Sequence, residues 1–116
     1  AVLGLGAVGE LAASLLHETG FAVTGVDTQL PDHPLAFACT QASATVRNEL
    51  AAVLSGCDAV LSCLPYHLNK DVARLACELG LFYFDLTEDV ATKELILDLA
   101  KTSDKLMVPV GAIELW

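Results

Sequence analysis

Residues 1–16 read AVLGLGAVGELAASLL and place Gly4, Gly6 and Gly9 in the spacing G-x-G-x-x-G, between a short apolar run and a helix-like stretch. Gly4 permits the sharp turn, Gly6 lets the main chain approach a pyrophosphate, and Gly9 lets the helix pack against the strand. Ala7 and Val8, which open the helix, belong to the same candidate cofactor site. There the free N–H groups and the positive end of the helix dipole would face phosphate. A glycine turn alone also suits an empty strand–helix junction, so its context decides. The second apolar run, FAVTGVD (21–27), ends in Asp27, 23 positions after Gly4. That is close to the ~20 residues expected between the turn and an acid that binds ribose hydroxyls.

Outward from the turn, strands alternate with helices. The expected strands are AVLGL, FAVTGVD, AFACTQ (36–41), DAVLSCLP (58–65), LFYFDL (81–86) and KLMVPV (105–110). Only three residues precede Gly4, so the first strand reads as clipped. The expected first helix turns Val8, Leu11, Ala12, Leu15 and Leu16 inward and stops at Gly20. A second, within 45–56, turns Val46, Leu50, Val53 and Leu54 inward and closes at Gly56. A third, within 68–80, starts from an N-cap at Asn69 and stops at Gly80. A fourth occupies 92–103. Residues 28–35 carry Pro31 and Pro34 and read as loop. Such alternation implies an α/β, doubly wound parallel sheet of the Rossmann type, covered on both faces, with six strands in the order 3-2-1-4-5-6.

The 116 residues suit one dinucleotide-binding domain. The chain is 54% hydrophobic, with mean hydropathy +0.56. Its apolar runs are nonetheless broken by Asp27, Asp58, Asp85 and Asp98, short of the ~18 residues a membrane span needs. They match strands buried on both faces. No basic region precedes an apolar one at the start, so no signal peptide is expected. A net charge of −9 argues against nucleic acid as a partner. Cys39, Cys57, Cys63 and Cys77 lack zinc-like spacing and read as buried free thiols of a reducing cytoplasm. No metal site is expected.

Cofactor choice follows from Asp27. Its carboxylate accepts from ribose hydroxyls and repels a 2′-phosphate, and the following TQLPDHP holds no Arg or Lys. NAD is therefore favoured over NADP. Thr28, next in line, is assigned to the cofactor site. SCLPYHLN (62–69) lies at the carboxyl end of the fourth strand, where ligands bind in open α/β sheets. Leu64 and Pro65 are candidates for the nicotinamide half. Tyr66 and His67 are candidates for a substrate, against simple surface packing. Thr87, in FYFDLTED (82–89), is a candidate for the cofactor or for helix capping. His17 and His33 read as helix-surface and loop residues. No nucleophile–base pair is apparent, so no residue is assigned a catalytic role.

VLGLGAVGELAASLL, GVD, DAVLSCLPYHLNKDVARLACELGLFYFDLTED and VPVGA together resemble the amino-terminal cofactor domain of the saccharopine dehydrogenase family. The paired LPYHLN and YFDLTED are the most specific part. The resemblance implies hydride exchange between a nicotinamide and an amino-acid C–N bond. It maps the pyrophosphate turn onto Gly4 to Gly9, the ribose acid onto Asp27, and the nicotinamide half onto Leu64, Pro65 and Thr87. Family members run on through a Pro-Gly turn into a substrate domain, and VPVGAIELW shows no such turn. The chain is therefore expected to lack that domain, to bind cofactor without turning it over, and to act on a small amino acid only within a longer protein. A homodimer and a cytoplasmic location complete the expectations. The competing function is a non-enzymatic regulatory domain of the same fold that senses NAD or adenine nucleotides. It accounts for the glycine turn and Asp27 but not for LPYHLN with YFDLTED.

Overall fold

A computed structural model describes residues 1–109. It contains β1 (Val2–Leu3), α1 (Ala7–Glu18), β2 (Thr24–Asp27), β3 (Ala38–Gln41), α2 (Arg47–Leu54), β4 (Ala59–Ser62), α3 (Tyr66–Leu79), β5 (Phe82–Asp85), α4 (Val90–Ala100) and β6 (Met107–Pro109). All six strands pair in parallel, in the order β3-β2-β1-β4-β5-β6. The expected order is therefore observed. The end of the sixth expected strand, the VGA of VPVGA and the closing residues lie outside the described range. Among the described residues no helix is long and apolar enough to cross a membrane.

β1 sits at the centre, bonded to β2 on one side and β4 on the other. Adjacent strand residues face opposite sides of a sheet. Leu3 accordingly joins a core with Leu50 and Leu54 of α2, Val72 and Ala76 of α3, and Ile96 of α4. Val2 joins a smaller core with Ala13 of α1, Leu5, Val23 and Phe37. The second core is roofed partly by Leu30 and Leu35 from the connection between β2 and β3, which has no helix. Coverage is therefore unequal. Along β4 and β5, Val60 and Tyr83 are fully buried, whereas Leu61 and Phe84 are half-buried and Phe82 is exposed. The expectation of strands buried on both faces is met only in part along this half of the sheet.

The glycine stops at 20 and 80 form as expected. Each has positive φ, +104° and +69°, and the next residue's amide reaches back five residues, Phe21 to Leu16 O and Leu81 to Ala76 O. Four other expectations are corrected. The inward face of α1 is Gly9 and Ala13 with Leu16 partly buried, while Val8, Leu11 and Leu15 are 58, 60 and 54% exposed. The helix approaches the sheet so closely that small residues, not large ones, define its contact face. In α2, Leu50 and Leu54 point inward, but Val46 lies before the first turn and is exposed. In α3 the cap position is Pro65; Asn69 lies inside the helix, buried, and accepts from Ser62 Oγ at 2.6 Å. The four thiols are half-buried rather than buried.

Candidate functional site

The carboxyl ends of β1, β2, β4 and β5 share one edge, because all the strands run parallel. The glycine turn lies at its centre. Gly4 has φ +88°, and its amide donates to Val26 O at 2.8 Å. A Cβ at Gly9 would lie 1.7 Å from the Gly4 carbonyl oxygen, so only glycine lets α1 start this close to β1. Gly6 differs from both. Its φ is −72°, which any residue adopts, and a Cβ there would meet nothing within 4 Å. Nothing in the folded chain demands glycine at this position. The demand is met if a ligand occupies the space in front of it.

α1 begins at Ala7, with Gly6 as a cap residue that has no side chain to offer. Its first internal bond runs from the Glu10 amide to Gly6 O at 2.9 Å. The amides of Ala7, Val8 and Gly9 precede that bond. They lie at the positive end of the helix dipole and have no acceptor within the helix. This is the donor set that an anionic pyrophosphate requires.

On one side of the turn an open cleft of about 560 Å³ runs past Gly6, Ala7, Glu10, Asp27 and Thr28 to His33. Asp27 is fastened at both oxygens. Oδ2 accepts from the Leu5 amide at 2.7 Å, and Oδ1 accepts from the Thr28 amide at 2.7 Å and its hydroxyl at 3.3 Å. A carboxylate has about four acceptor sites, so capacity remains for ribose hydroxyls. Sequence reasoning missed Glu10 and His33. Their side chains meet with Nε2 and Oε1 2.5 Å apart, across 23 residues of chain. Pairing at that separation leaves no local motif. The available clue was the absence of a helical pattern after β2, which returns residues 28–35 over the start of α1.

On the other side a cleft of about 440 Å³ brings together Leu64, Tyr66 and Thr87, with Cys63, Leu86, Glu88 and Asp89. Pro65 caps α3 and is exposed; it does not line this cleft. His67 is also outside it, exposed, with its ring edge-on to Tyr66 at 5.9 Å. Thr87 is buried. Its amide donates to Asp85 Oδ1 at 3.0 Å, and its hydroxyl oxygen accepts from the Asp89 amide at 3.2 Å. The cap of α4 is Asp89, whose Oδ2 accepts from the Thr92 amide at 3.0 Å. The Thr87 hydroxyl also carries a donor hydrogen of its own.

Beneath Thr87, Asp85 is fully buried and accepts from the Tyr83 hydroxyl at 2.7 Å. Burial pushes the Asp85 carboxyl above its ordinary range, against the opposing pull of the Tyr83 and Thr87 bonds and the Lys93 charge. Burial first, then the neighbouring Asp85, pushes the Tyr83 phenol far up, so it stays a donor. Asp89 goes the other way, because the bonds from Thr92 hold its carboxyl low. Among the described residues no group of three His, Cys, Asp or Glu could hold a metal ion.

The strand order agrees with the fold of known proteins. The family model described as the saccharopine dehydrogenase NADP binding domain matches residues 1–106. No curated protein matches the sequence. Among solved structures, an apo saccharopine dehydrogenase (L-Glu forming) from Saccharomyces cerevisiae is similar, with TM-score 0.72 and 22% identity. The match covers 84% of this chain and 23% of that one. A D-isomer specific 2-hydroxyacid dehydrogenase from Xanthobacter autotrophicus Py2 is similar with TM-score 0.61 and 23% identity, over 95% of this chain and 40% of that one. The chain thus spans about a quarter of the length of the yeast structure.

Proposed function

The chain belongs to the saccharopine dehydrogenase NADP-binding domain family, and from that premise we propose that it binds NAD(H) in preference to NADP(H) and serves an oxidoreductase acting at an amino-acid C–N bond. The observation that carries dinucleotide binding is Gly6, a glycine with ordinary φ and open space before it, beside uncapped helix amides. The residues fit the group. Gly6 and the first amides of α1 would hold the pyrophosphate, Asp27 and Thr28 the adenosine ribose, and Leu64 and Thr87 the nicotinamide side. A bound nicotinamide supplies or accepts the hydride. The chain's own residues orient the cofactor, and Leu64 and Leu86 give the second cleft apolar surface. Tyr66 lines the same cleft and would meet a substrate there.

Preference for NAD rests on Asp27 and on a cleft without Lys or Arg. A 2′-phosphate there would face a fixed carboxylate with no permanent cation to offset it. The family's description names NADP, and a direct comparison decides between the two. Calorimetric titration of the chain with NAD, NADP, ADP and ATP should show NAD bound most tightly. Tighter NADP binding would overturn the preference. Tight ADP or ATP binding without NAD binding would turn the assignment towards nucleotide sensing.

A further inference from the structure

We propose that His33 and Glu10 form a clasp that positions the loop after β2 against the adenosine half of the cleft and makes the choice between NAD and NADP depend on pH. The inference rests on the dinucleotide reading above and concerns residues that reading does not use. The connection from β2 to β3 contains no helix, so few regular bonds hold it. Its near end is tied by Asp27 to Thr28 and by Gln41 Nε2 donating to Thr28 O at 2.7 Å. Midway along it the Glu10–His33 pair joins the loop to the first turn of α1, beside the turn at Gly6.

The charges around the clasp are unequal. Glu10 from α1, Asp27 from the end of β2 and Asp32 from the loop all line the cleft. Asp32 Oδ1 lies 3.7 Å from His33 Nδ1 on the side of the ring away from Glu10. On β3, the Cys39 thiol is pushed up by partial burial and then by Glu10, so it stays neutral near pH 7. Among the described residues lining this cleft, His33 is the side chain that can become a cation. The hydrogen bond and charge of Glu10 raise its pKa above the ordinary histidine value, with Asp32 adding to the effect. Below that raised value the cleft holds three carboxylates and one imidazolium. Above it, the imidazolium is lost.

NAD presents a hydroxyl where NADP presents a 2′-phosphate. Loss of one positive charge nearby therefore weakens NADP more than NAD. A separation of several Å at the edge of a protein corresponds to roughly a three- to tenfold change. The phosphate itself titrates near pH 6, about as other phosphomonoesters do. The informative quantity is thus the difference between wild type and a variant that cannot titrate.

Titration of the chain with NAD and with NADP from pH 6.5 to 9 tests this. In wild type the ratio of NADP to NAD dissociation constants should rise roughly three- to tenfold across the range. His33→Gln keeps a donor towards Glu10 but no charge, so its ratio should rise less than that of wild type, by the phosphate's own titration alone, while its NAD affinity is close to wild type at high pH. His33→Ala should weaken NAD at every pH, because the loop loses its tie. An NMR titration of His33 without dinucleotide should show its midpoint fall in Glu10→Gln. Parallel ratios in wild type and His33→Gln, with dinucleotide bound, would overturn the clasp's charge role alone. An unmoved His33 midpoint in Glu10→Gln would overturn the pairing. Binding of neither dinucleotide would overturn the underlying assignment, and the clasp's function with it.

Discussion

The amide of Leu5 donates to Asp27 Oδ2 at 2.7 Å, so the acid that ends β2 also holds the turn that follows β1. One residue is thereby asked to do two things. Oδ2 fixes the backbone of the glycine turn, while Oδ1 accepts from Thr28 at the rim of the cleft.

The two roles separate by substitution. Asp27→Ala leaves the Leu5 amide without its partner, which costs about 1–3 kcal/mol, and it should also weaken NAD. Asp27→Asn can still accept from Leu5 but lacks the charge. It should retain more stability and narrow the advantage of NAD over NADP. Chemical denaturation and calorimetry read the two effects. NAD affinity unchanged in Asp27→Ala would remove Asp27 from the site.

Gly9 should be the least replaceable of the three glycines for folding. A methyl group there lands 1.7 Å from the Gly4 carbonyl oxygen, and backbone cannot step aside as a flexible side chain can. Gly9→Ala is expected to exceed the ~1–3 kcal/mol typical of overpacking, measured by urea denaturation. A loss below ~1 kcal/mol would show that α1 can slide.

The outer face of α1 should tolerate polarity. Leu11→Gln, at a position 60% exposed, should change stability by no more than ~0.5 kcal/mol. Ala13→Leu, at a fully buried position, should cost ~1–3 kcal/mol. The reverse ranking would restore the inward stripe that hydrophobic periodicity implies.

That contrast shows what was legible in the sequence. Strand order followed from alternation and one turn, because parallel crossovers leave few topologies. The helix stops at Gly20 and Gly80 were legible because positive φ is a local demand. The contact face of α1 was not, because it is set by how closely a helix approaches a strand, and Val8, Leu11 and Leu15 imitate a buried stripe. In the candidate site Asp27, Leu64 and Thr87 were legible from their places at strand ends. Pro65 and His67 shared the motif but not the cleft, since α3 begins at Tyr66 and turns His67 away. Glu10 and His33 meet only through tertiary folding.

Stability should fall as pH rises through the titration of Asp85. Its folded carboxyl is raised by burial, so the folded state holds the proton more tightly than the unfolded chain does. The stabilising effect of that proton is complete below the unfolded value, about 3.9. It is lost as pH climbs through the raised folded value. Asp85→Asn should flatten that part of the curve of unfolding free energy against pH. Asp89 acts in the opposite sense, and its stabilisation disappears as pH falls below its ordinary range towards its lowered value. An Asp85→Asn curve parallel to wild type would mean that the carboxyl is not raised.

If a dinucleotide lies against Gly6, a side chain at that position should block it while leaving the fold in place. Calorimetric titration of Gly6→Val with NAD, beside its thermal melt, tests this most directly. The side chain enters space the protein leaves empty, and φ is ordinary, so the chain should stay folded and lose no more than the ~1 kcal/mol of a poorer helix cap. NAD affinity should drop at least tenfold, a loss of about 1.4 kcal/mol or more. Wild-type affinity in a folded Gly6→Val chain would contradict the account.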